Sequence, residues 1–276
     1  MKILITGISG RIGKSLLSFF EGIENTQLYF IVKKHREELA NHEQILWDLN
    51  EASNFDFSEL YFDRVIHMAA IAHDLGARSV LEINQLTTKN LFEAIDGCFE
   101  QFIFFSSISV YGESNRSYPI RVEDKCEPTS FYGISKLRSE KFLEERVENL
   151  LIFRLCPMID GDGIIDLEKR IFLPKTKIKY KSPYKREYSF STIDSIENYL
   201  RANSLESTVK GILNVSDDKK YSELELLEMS PGEQIVKIPK FFLAPLFGFC
   251  SMFSGRGKIR NIQNILWKLF KENTFS

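Results

Sequence analysis

Residues 3–13 of the chain read ILITGISGRIG, a short apolar run followed by three spaced glycines. The run Ile3–Thr6 predicts a buried strand, and the residues after Gly10 have helical periodicity. Gly7, Gly10 and Gly13 therefore lie where a first strand turns into a first helix. Glycine lets backbone N–H groups approach a ligand closely, and the helix N-terminus adds partial positive charge. This turn is typical of a pyrophosphate-binding loop for a dinucleotide.

Short apolar runs alternate with amphipathic stretches through the first half of the chain. The predicted strands are Ile3–Thr6, Leu28–Val32, Gln44–Trp47, Arg64–Met68, Phe102–Phe105 and Leu150–Arg154, and the predicted helices are Gly10–Phe20, Val80–Ile95 and Gly133–Val147. Nearly unbroken apolar strands indicate a parallel sheet that is covered on both faces. Alternation of strands and helices predicts an α/β fold with a doubly wound parallel sheet. Prolines and glycines interrupt the chain after Cys156, so we predict one domain over 1–156 and a smaller, partly interwoven lobe over 157–276.

Composition excludes some classes of function. A net charge of −2 does not favour nucleic acid or an anionic membrane as a partner. The four cysteines form no CxxC pair, which argues against a metal site and favours a reducing compartment. The apolar N-terminal run is too short for a signal peptide, and Phe241–Phe253 is shorter than the ~20 residues of a membrane span. We expect a cytoplasmic protein whose C-terminal segment packs on the small lobe, with an interfacial membrane helix as the alternative.

The end of the second predicted strand bears on the choice of dinucleotide. Lys33-Lys34-His35-Arg36 follows Val32, and no acidic residue occurs before Glu37. Basic groups here suit the 2′-phosphate of NADP(H), whereas NAD sites usually place an acid near this point. NADP(H) is therefore favoured, with a solvated basic loop and NAD(H) as the alternative. Asp48, after the third predicted strand, is expected either to bind the adenine amino group or to be a plain loop residue.

Tyr132 and Lys136 are four residues apart, so a helix places them on one face. A neighbouring ammonium favours the phenolate and brings tyrosine closer to a working acid–base pKa. Ser107 follows the predicted strand Phe102–Phe105, at the carboxyl edge of the sheet where ligands of open α/β folds bind. His67 lies near the end of the fourth predicted strand and His73 follows that strand; structural burial is favoured over a proton relay for both.

Several motifs occur in a fixed order along the chain. They are TGxxGxxG from Thr6, His67-Met68-Ala69-Ala70, NxxxTxNL from Asn84, SSxxVYG from Ser106, YxxxK from Tyr132, the strand-like run Arg186–Ser191 with Asp194, and GxxNV from Gly211. This ordered set resembles the extended short-chain dehydrogenase/reductase family, and within it the nucleotide-sugar epimerase/dehydratase branch.

The resemblance implies a Rossmann domain with a C-terminal substrate-binding lobe, a nucleotide-sugar substrate and a homodimer formed through helices such as Val80–Ile95 and Gly133–Val147. It implies Ser107, Tyr132 and Lys136 as the catalytic triad, with Ser107 and Arg186 as substrate contacts. The residues that we assign to the cofactor are Gly7, Ser9, Gly10, Arg11, Ile12, Gly13, Lys33, Lys34, Asp48, Leu49, Ala69, Ala70, Tyr132 and Lys136.

Two departures from the branch narrow the reaction. Dehydratases carry an Asp-Glu pair between the serine and VYG, whereas this chain has Ile108 and Ser109, so elimination of water is disfavoured. The segment Arg154–Met158 lacks the asparagine with which epimerases often grip their substrate.

Three functions remain as hypotheses. The first is an NADPH-dependent 4-keto reductase of a nucleotide-linked deoxysugar, which the basic run Lys33–Arg36 favours. The second is an NAD-dependent C4 epimerase that uses the same catalytic residues. The third, which the intact Tyr132 and Lys136 disfavour, is a non-catalytic regulator that senses NADP(H).

Overall fold

The computed structural model describes residues 1–72, 77–112, 119–160, 163–164, 178–181, 187–229 and 235–237. The chain divides into two compact units. The first unit comprises Met1–Gly112, Lys125–Leu155 and Ile193–Val215, and the second comprises the remaining segments. Residues 193–215 thus return to the first unit, whereas the sequence analysis placed 157–276 mainly in the smaller lobe. The substrate-binding role of that lobe stays a prediction.

The described elements alternate between strands and helices through the first unit. In chain order the strands are β1 Lys2–Thr6, β2 Gln27–Val32, β3 Glu43–Leu46, β4 Phe62–His67, β5 Phe99–Ser107, β6 Leu150–Leu155, β7 Ile159–Asp160, β8 Gly163–Ile164, β9 Lys179–Lys181, β10 Glu187–Ser189, β11 Gly211–Val215, β12 Lys220–Ser222 and β13 Ile235–Lys237. The α-helices are α1 Arg11–Glu21, α2 Ala77–Ile95, α3 Phe131–Glu144, α4 Ile193–Leu200 and α5 Glu223–Met229. Short helical turns occupy Glu37–Leu39, Ile108–Tyr111 and Arg201–Leu205.

Seven parallel strands form the sheet of the first unit, in the order β11-β6-β5-β4-β1-β2-β3. The strand order reverses between β1 and β4, and ligands of such sheets bind at that point, beyond the carboxyl ends of the strands. The predicted doubly wound parallel sheet is therefore confirmed. Each of the strands and helices predicted in this unit is present, with ends that differ by a few residues.

The core explains why these apolar runs form central strands. Every residue of β6 is buried, as is every residue of β2 after Gln27. One cluster joins Phe102 and Phe104 of β5 to Leu91 of α2 and Leu143 of α3. Burial of apolar surface stabilises by about 25 cal/mol per Å², so this packing holds α2 and α3 against the sheet.

The described part of the second unit consists of short elements. Strands β7 and β8 pair in antiparallel orientation, as do β10 and β12, whereas β9 and β13 are parallel. Tyr188 and Phe190 pack with Leu226 and Leu227 in a separate small core. In the described residues, no helix is long and apolar enough to cross a membrane. The apolar segment Phe241–Phe253 lies outside them.

Candidate active site

The glycine turn brings β1 and α1 close together at the strand-order reversal. Gly7 has φ +80°, a conformation that favours glycine. A Cβ on Gly13 would lie 2.4 Å from the Gly7 carbonyl oxygen and 2.5 Å from the Cα of Ile8. The helix begins at Arg11, directly after this turn. The first-turn N–H groups of α1 therefore face the carboxyl edge of the sheet, as an anion site requires.

We expect Gly13→Ala to weaken dinucleotide binding by about tenfold or more, because backbone atoms on the turn have to shift to admit the methyl group. Gly22→Ala at the end of α1 is the matched control, since its Cβ would meet nothing nearer than 3.4 Å. Titration calorimetry with NAD(H) and NADP(H) on both variants measures the effect. Equal affinities for the two variants would contradict this prediction.

A groove of about 340 Å³ extends from the glycine turn along the carboxyl ends of the strands. The residues lining it are Gly7, Ser9, Gly10, Ile31, Val32, Lys33, Trp47, Asp48, Leu49, Asn50, Met68, Ala69, Ala70, Ile71, Ile83, Asn84 and Thr87. They include most of the residues that the sequence analysis assigned to the cofactor. The assigned residues Arg11, Ile12, Gly13, Lys34, Tyr132 and Lys136 are not among its lining residues.

At one end of the groove, Lys33 is paired with an acid that the sequence analysis treated separately. Its Nζ lies 2.9 Å from Oδ2 of Asp48. Burial alone would raise the pKa of Asp48, but hydrogen bonds from Lys33 and Asn50 lower it below its usual value. Part of the positive charge in the basic run is therefore neutralised within the chain.

Asn50 was missed by the sequence analysis. Its Nδ2 donates to Oδ1 of Asp48 at 2.9 Å, and its backbone N donates to the same oxygen at 3.0 Å. A carboxylate can only accept hydrogen bonds, so the side-chain amide nitrogen of Asn50 faces Asp48 and the Oδ1 of Asn50 faces away. That oxygen is buried and has no hydrogen-bond partner among the described residues. It is an acceptor on a groove-lining residue beside the predicted adenine contact.

The predicted catalytic pair lies in the first turns of α3. Ser130 caps this helix by accepting a hydrogen bond from the Gly133 N at 3.0 Å. A Cβ on Gly133 would lie 2.4 Å from the Ser109 carbonyl oxygen, so the helix start packs directly on the turn that follows β5. This contact brings Tyr132 and Ser107 to the same sheet edge.

Lys136 is buried and anchored to β5. Its Nζ donates to the Phe105 carbonyl oxygen at 2.7 Å, lies 4.7 Å from the centroid of the Phe104 ring and 5.9 Å from that of Tyr132. An ammonium has three donors, so two more are available for other partners. Burial lowers the pKa of Lys136 to about 7, against the opposing charge of Glu140.

The expected lowering of the Tyr132 pKa is absent from the structure. Burial raises the pKa of Tyr132 to about 12. The reason is that burial removes water from the hydroxyl and so disfavours the charged phenolate.

Two hydroxyls stand together after β5. Ser107 Oγ donates to Ser109 Oγ at 3.1 Å and accepts from the Ser109 N at 3.2 Å. Ser109 was not selected from the sequence, where it had been noted only as a position without an acid. The structure makes it the direct partner of Ser107.

A buried ion pair lies one helical turn beyond Lys136 on α3. Glu140 accepts hydrogen bonds from Arg154 at 3.1 Å and 2.8 Å and a further one from Ser106. Arg154 also donates to the Tyr111 hydroxyl at 3.0 Å, and that hydroxyl donates to Oδ1 of Asn214 at 2.7 Å. Burial alone would lower the pKa of Arg154, but bonding to Glu140 raises it.

The strand register explains how this network forms. Ser106, Arg154 and Asn214 are register partners on β5, β6 and β11. Their side chains therefore occur at one level of the sheet, directly before Ser107 on β5. Arg186 and His73 lie outside the described residues, and their predicted roles stay predictions.

The chain is similar in sequence to proteins of known activity. The model of the "NAD dependent epimerase/dehydratase family" matches residues 3–158. The chain is 31% identical to the UDP-glucose 4-epimerase of Vibrio cholerae over 152 residues, 51% of this chain and 45% of that protein. An ADP-L-glycero-D-manno-heptose-6-epimerase of Cupriavidus pinatubonensis is 26% identical over 161 residues, 55% of this chain and 48% of that protein. The matches thus span about half the length of these relatives.

Solved structures share the fold over a longer range. UDP-glucuronic acid 4-epimerase from Bacillus cereus in complex with NAD superposes with a TM-score of 0.66, at 22% identity, over 86% of this chain and 87% of that chain. The Bordetella bronchiseptica enzyme WbmG in complex with NAD and UDP gives a TM-score of 0.67, at 21% identity, over 86% and 82%.

Proposed function

This chain belongs to the NAD dependent epimerase/dehydratase family, and we propose that it transfers hydride between a nicotinamide dinucleotide and a secondary alcohol carbon of a nucleotide-linked sugar. The observation that carries the proposal is the placement of Tyr132, one helical turn from the buried Lys136, at the sheet edge where Ser107 and Ser109 stand. A dinucleotide groove opens at the same carboxyl edge.

Each side chain has a defined task in this proposal. The Tyr132 hydroxyl takes the proton of the sugar hydroxyl as its carbon loses hydride, and returns the proton when the ketone is reduced. The paired hydroxyls of Ser107 and Ser109 bind the reacting oxygen. Lys136 uses its two remaining donors on ribose hydroxyls. The dinucleotide supplies the hydride acceptor and donor.

Of the two outcomes, epimerisation at C4 is the one that we propose. Two relatives of this chain carry epimerase names, and the Lys33–Asp48 pair weakens the charge argument for NADPH and net reduction. Net 4-keto reduction is the second candidate, supported by the rest of the basic run, Lys34–Arg36. Dehydration is disfavoured, because Ile108 and Ser109 stand where it would need an acid and a base.

One experiment separates the two candidates. The purified protein is incubated with UDP-hexoses, and with a nucleotide-linked 4-keto sugar plus NADPH. Interconversion of the C4 epimers without net consumption of dinucleotide supports epimerisation. Stoichiometric oxidation of NADPH by the 4-keto sugar supports reduction instead. Failure of both reactions contradicts the proposed function.

NAD(H) is the cofactor that we propose, with NADP(H) as the second candidate. In Asp48→Asn, Lys33 loses its carboxylate partner, and a cation next to the predicted ribose site favours a 2′-phosphate. We expect the ratio of NADP(H) to NAD(H) affinity to rise by about threefold to tenfold, since a partly exposed charge is worth about 1 kcal/mol. The ratio is the measured quantity because any loss of an adenine contact affects both cofactors equally. An unchanged ratio would show that Lys33 does not face the ribose.

Two further features stay proposals. A homodimer through α2 and α3 is supported by Leu86, which is exposed on α2 among Gln85, Lys89 and Arg138. Sedimentation velocity measures the oligomeric state. The cytoplasmic location stays a prediction from the sequence, as does the contact between Arg186 and the nucleotide diphosphate.

A further inference from the structure

A buried histidine connects the strand of the glycine turn to the catalytic helix. His67, the last residue of β4, is fully buried and has no role in the chemistry proposed above. Its Nδ1 lies 2.7 Å from Oγ1 of Thr6, its register partner on β1. Its Nε2 lies 3.1 Å from Oγ1 of Thr88 on α2.

Counting hydrogens assigns the tautomer of this ring. Thr88 Oγ1 donates its hydrogen to the Asn84 carbonyl oxygen at 3.0 Å, so it can only accept from His67. Nε2 therefore carries the hydrogen, and Nδ1 accepts one from the Thr6 hydroxyl. With the hydrogen on Nδ1 instead, the buried hydroxyl of Thr6 would lack an acceptor among its described neighbours. The Nε2–H form gives an acceptor to the Thr6 hydroxyl, to the His67 ring N–H and to the Thr88 hydroxyl.

The same arrangement keeps the ring uncharged. An imidazolium would present two donors and would displace the hydrogen of Thr6. Burial, and secondarily the ammonium of Lys136, lowers the pKa of His67 to about 3. The imidazole ring stacks on the Phe104 ring with 5.7 Å between centroids, so an apolar side chain covers one face of the imidazole. A proton relay near neutral pH is excluded by these contacts.

The hydrogen bonds around His67 hold one wall of the groove in place. Thr6 Oγ1 accepts from the Ala69 N at 3.3 Å, and a Cβ on Gly7 would lie 2.5 Å from the same nitrogen. The Asn84 side chain makes two hydrogen bonds to the Ile71 backbone: Oδ1 accepts from the Ile71 N at 2.8 Å, and Nδ2 donates to the Ile71 carbonyl oxygen at 2.9 Å. Gly7, Ala69, Ile71 and Asn84 all line the groove.

Asn84 extends the connection to the catalytic tyrosine. Its Nδ2 also donates to Ser135 Oγ at 3.1 Å, and Ser135 Oγ donates to the Tyr132 carbonyl oxygen at 2.7 Å. The groove wall and the turn that bears Tyr132 therefore share one continuous set of hydrogen bonds.

We propose that His67, fixed in its Nε2–H tautomer, is a positioning residue that sets the Ala69–Ile71 wall of the dinucleotide groove and, through Thr88 and Asn84, the turn that carries Tyr132. This role rests on the proposed binding of a dinucleotide.

Three variants test the role of His67. His67→Leu fills the space but removes both ring nitrogens, and two buried hydroxyls lose a partner. We expect dinucleotide affinity to fall by about tenfold to a hundredfold, since an unpaired buried polar group costs about 1–3 kcal/mol. His67→Gln offers one acceptor and one donor, and should restore the affinity to within about threefold of the wild type. Gln101→Leu is the control, because it removes a partly buried hydrogen bond from Gln101 Nε2 to the Val209 carbonyl oxygen, 2.7 Å long, and neither residue lines the groove.

Calorimetric titration and thermal unfolding are measured on all three. We expect Gln101→Leu to leave dinucleotide affinity unchanged whatever its effect on the melting temperature, which separates positioning from plain stability. Wild-type affinity in His67→Leu would overturn the inference and leave the proposed function intact. Absence of dinucleotide binding by the wild-type protein would contradict the proposed function itself.

The tautomer is measured without any ligand. Long-range proton–nitrogen spectra of protein labelled with ¹⁵N-histidine should show hydrogen on Nε2 alone between about pH 8 and about pH 5, although an ordinary histidine titrates near 6.5. A ring that titrates in this range, or that carries its hydrogen on Nδ1, would overturn the assignment.

Discussion

Tyr132→Phe is expected to lower kcat by about a thousandfold, because a positioned acid–base group contributes about 10²- to 10⁴-fold. The substitution removes only the hydroxyl, so the ring should keep its place near Lys136. Dinucleotide affinity should stay within about threefold of the wild type, since loss of an interaction made only in the transition state affects kcat. Steady-state kinetics with the nucleotide sugar and calorimetry with the dinucleotide measure the two effects separately.

The matched control for this prediction is Tyr29→Phe. Tyr29 is a buried residue of β2 whose ring packs edge-on against Phe62, away from the catalytic helix. The Tyr29→Phe variant should keep the full activity of the wild type. Wild-type turnover in Tyr132→Phe would contradict the acid–base role of the Tyr132 hydroxyl.

Arg154→Met is expected to destabilise the first unit by about 3–5 kcal/mol, the usual cost of leaving a buried charge without its partner. The side chains of Arg154 and Glu140 are only 5% and 1% exposed, so water cannot replace the lost contact. Glu140 would keep just the Ser106 hydroxyl among the donors described for it. Chemical denaturation followed by circular dichroism measures the change in unfolding free energy.

The double variant Glu140→Gln/Arg154→Met gives this prediction a sharper test. Removal of both charges should recover about 2 kcal/mol relative to Arg154→Met, because the uncompensated carboxylate is gone. Lys125→Met is the surface control. The Nζ of Lys125 lies 2.6 Å from Oε1 of Glu127, but the Lys125 side chain is 81% exposed, so its loss should change the free energy of unfolding little. If Arg154→Met were no more harmful than Lys125→Met, the buried pair would not stabilise the fold.

Contacts between distant segments account for what the sequence analysis missed. Glu140 follows Lys136 by four residues, a spacing that indicates a shared helix face, but nothing in the chain marks Arg154 as its partner. Their contact depends on β5 and β6 pairing in one register, so that Ser106 and Arg154 fall at the same level. The role of Asn50 depends on its orientation towards Asp48, and that of Ser109 on the turn after β5 that brings its hydroxyl to Ser107.

The sequence by itself determined the glycine turn, the parallel sheet and the order of the motifs. These features depend on local rules: apolar runs form buried strands, glycines allow the close turn between β1 and α1, and a four-residue spacing aligns Tyr132 with Lys136. The ion pairing and protonation states of the site residues were decided by the tertiary structure alone. Lys33 is paired with Asp48, burial raises the pKa of Tyr132, and His67 is held uncharged between Thr6 and Thr88. The reason is that charge and tautomer depend on desolvation and on partners from other segments, which a linear pattern does not contain.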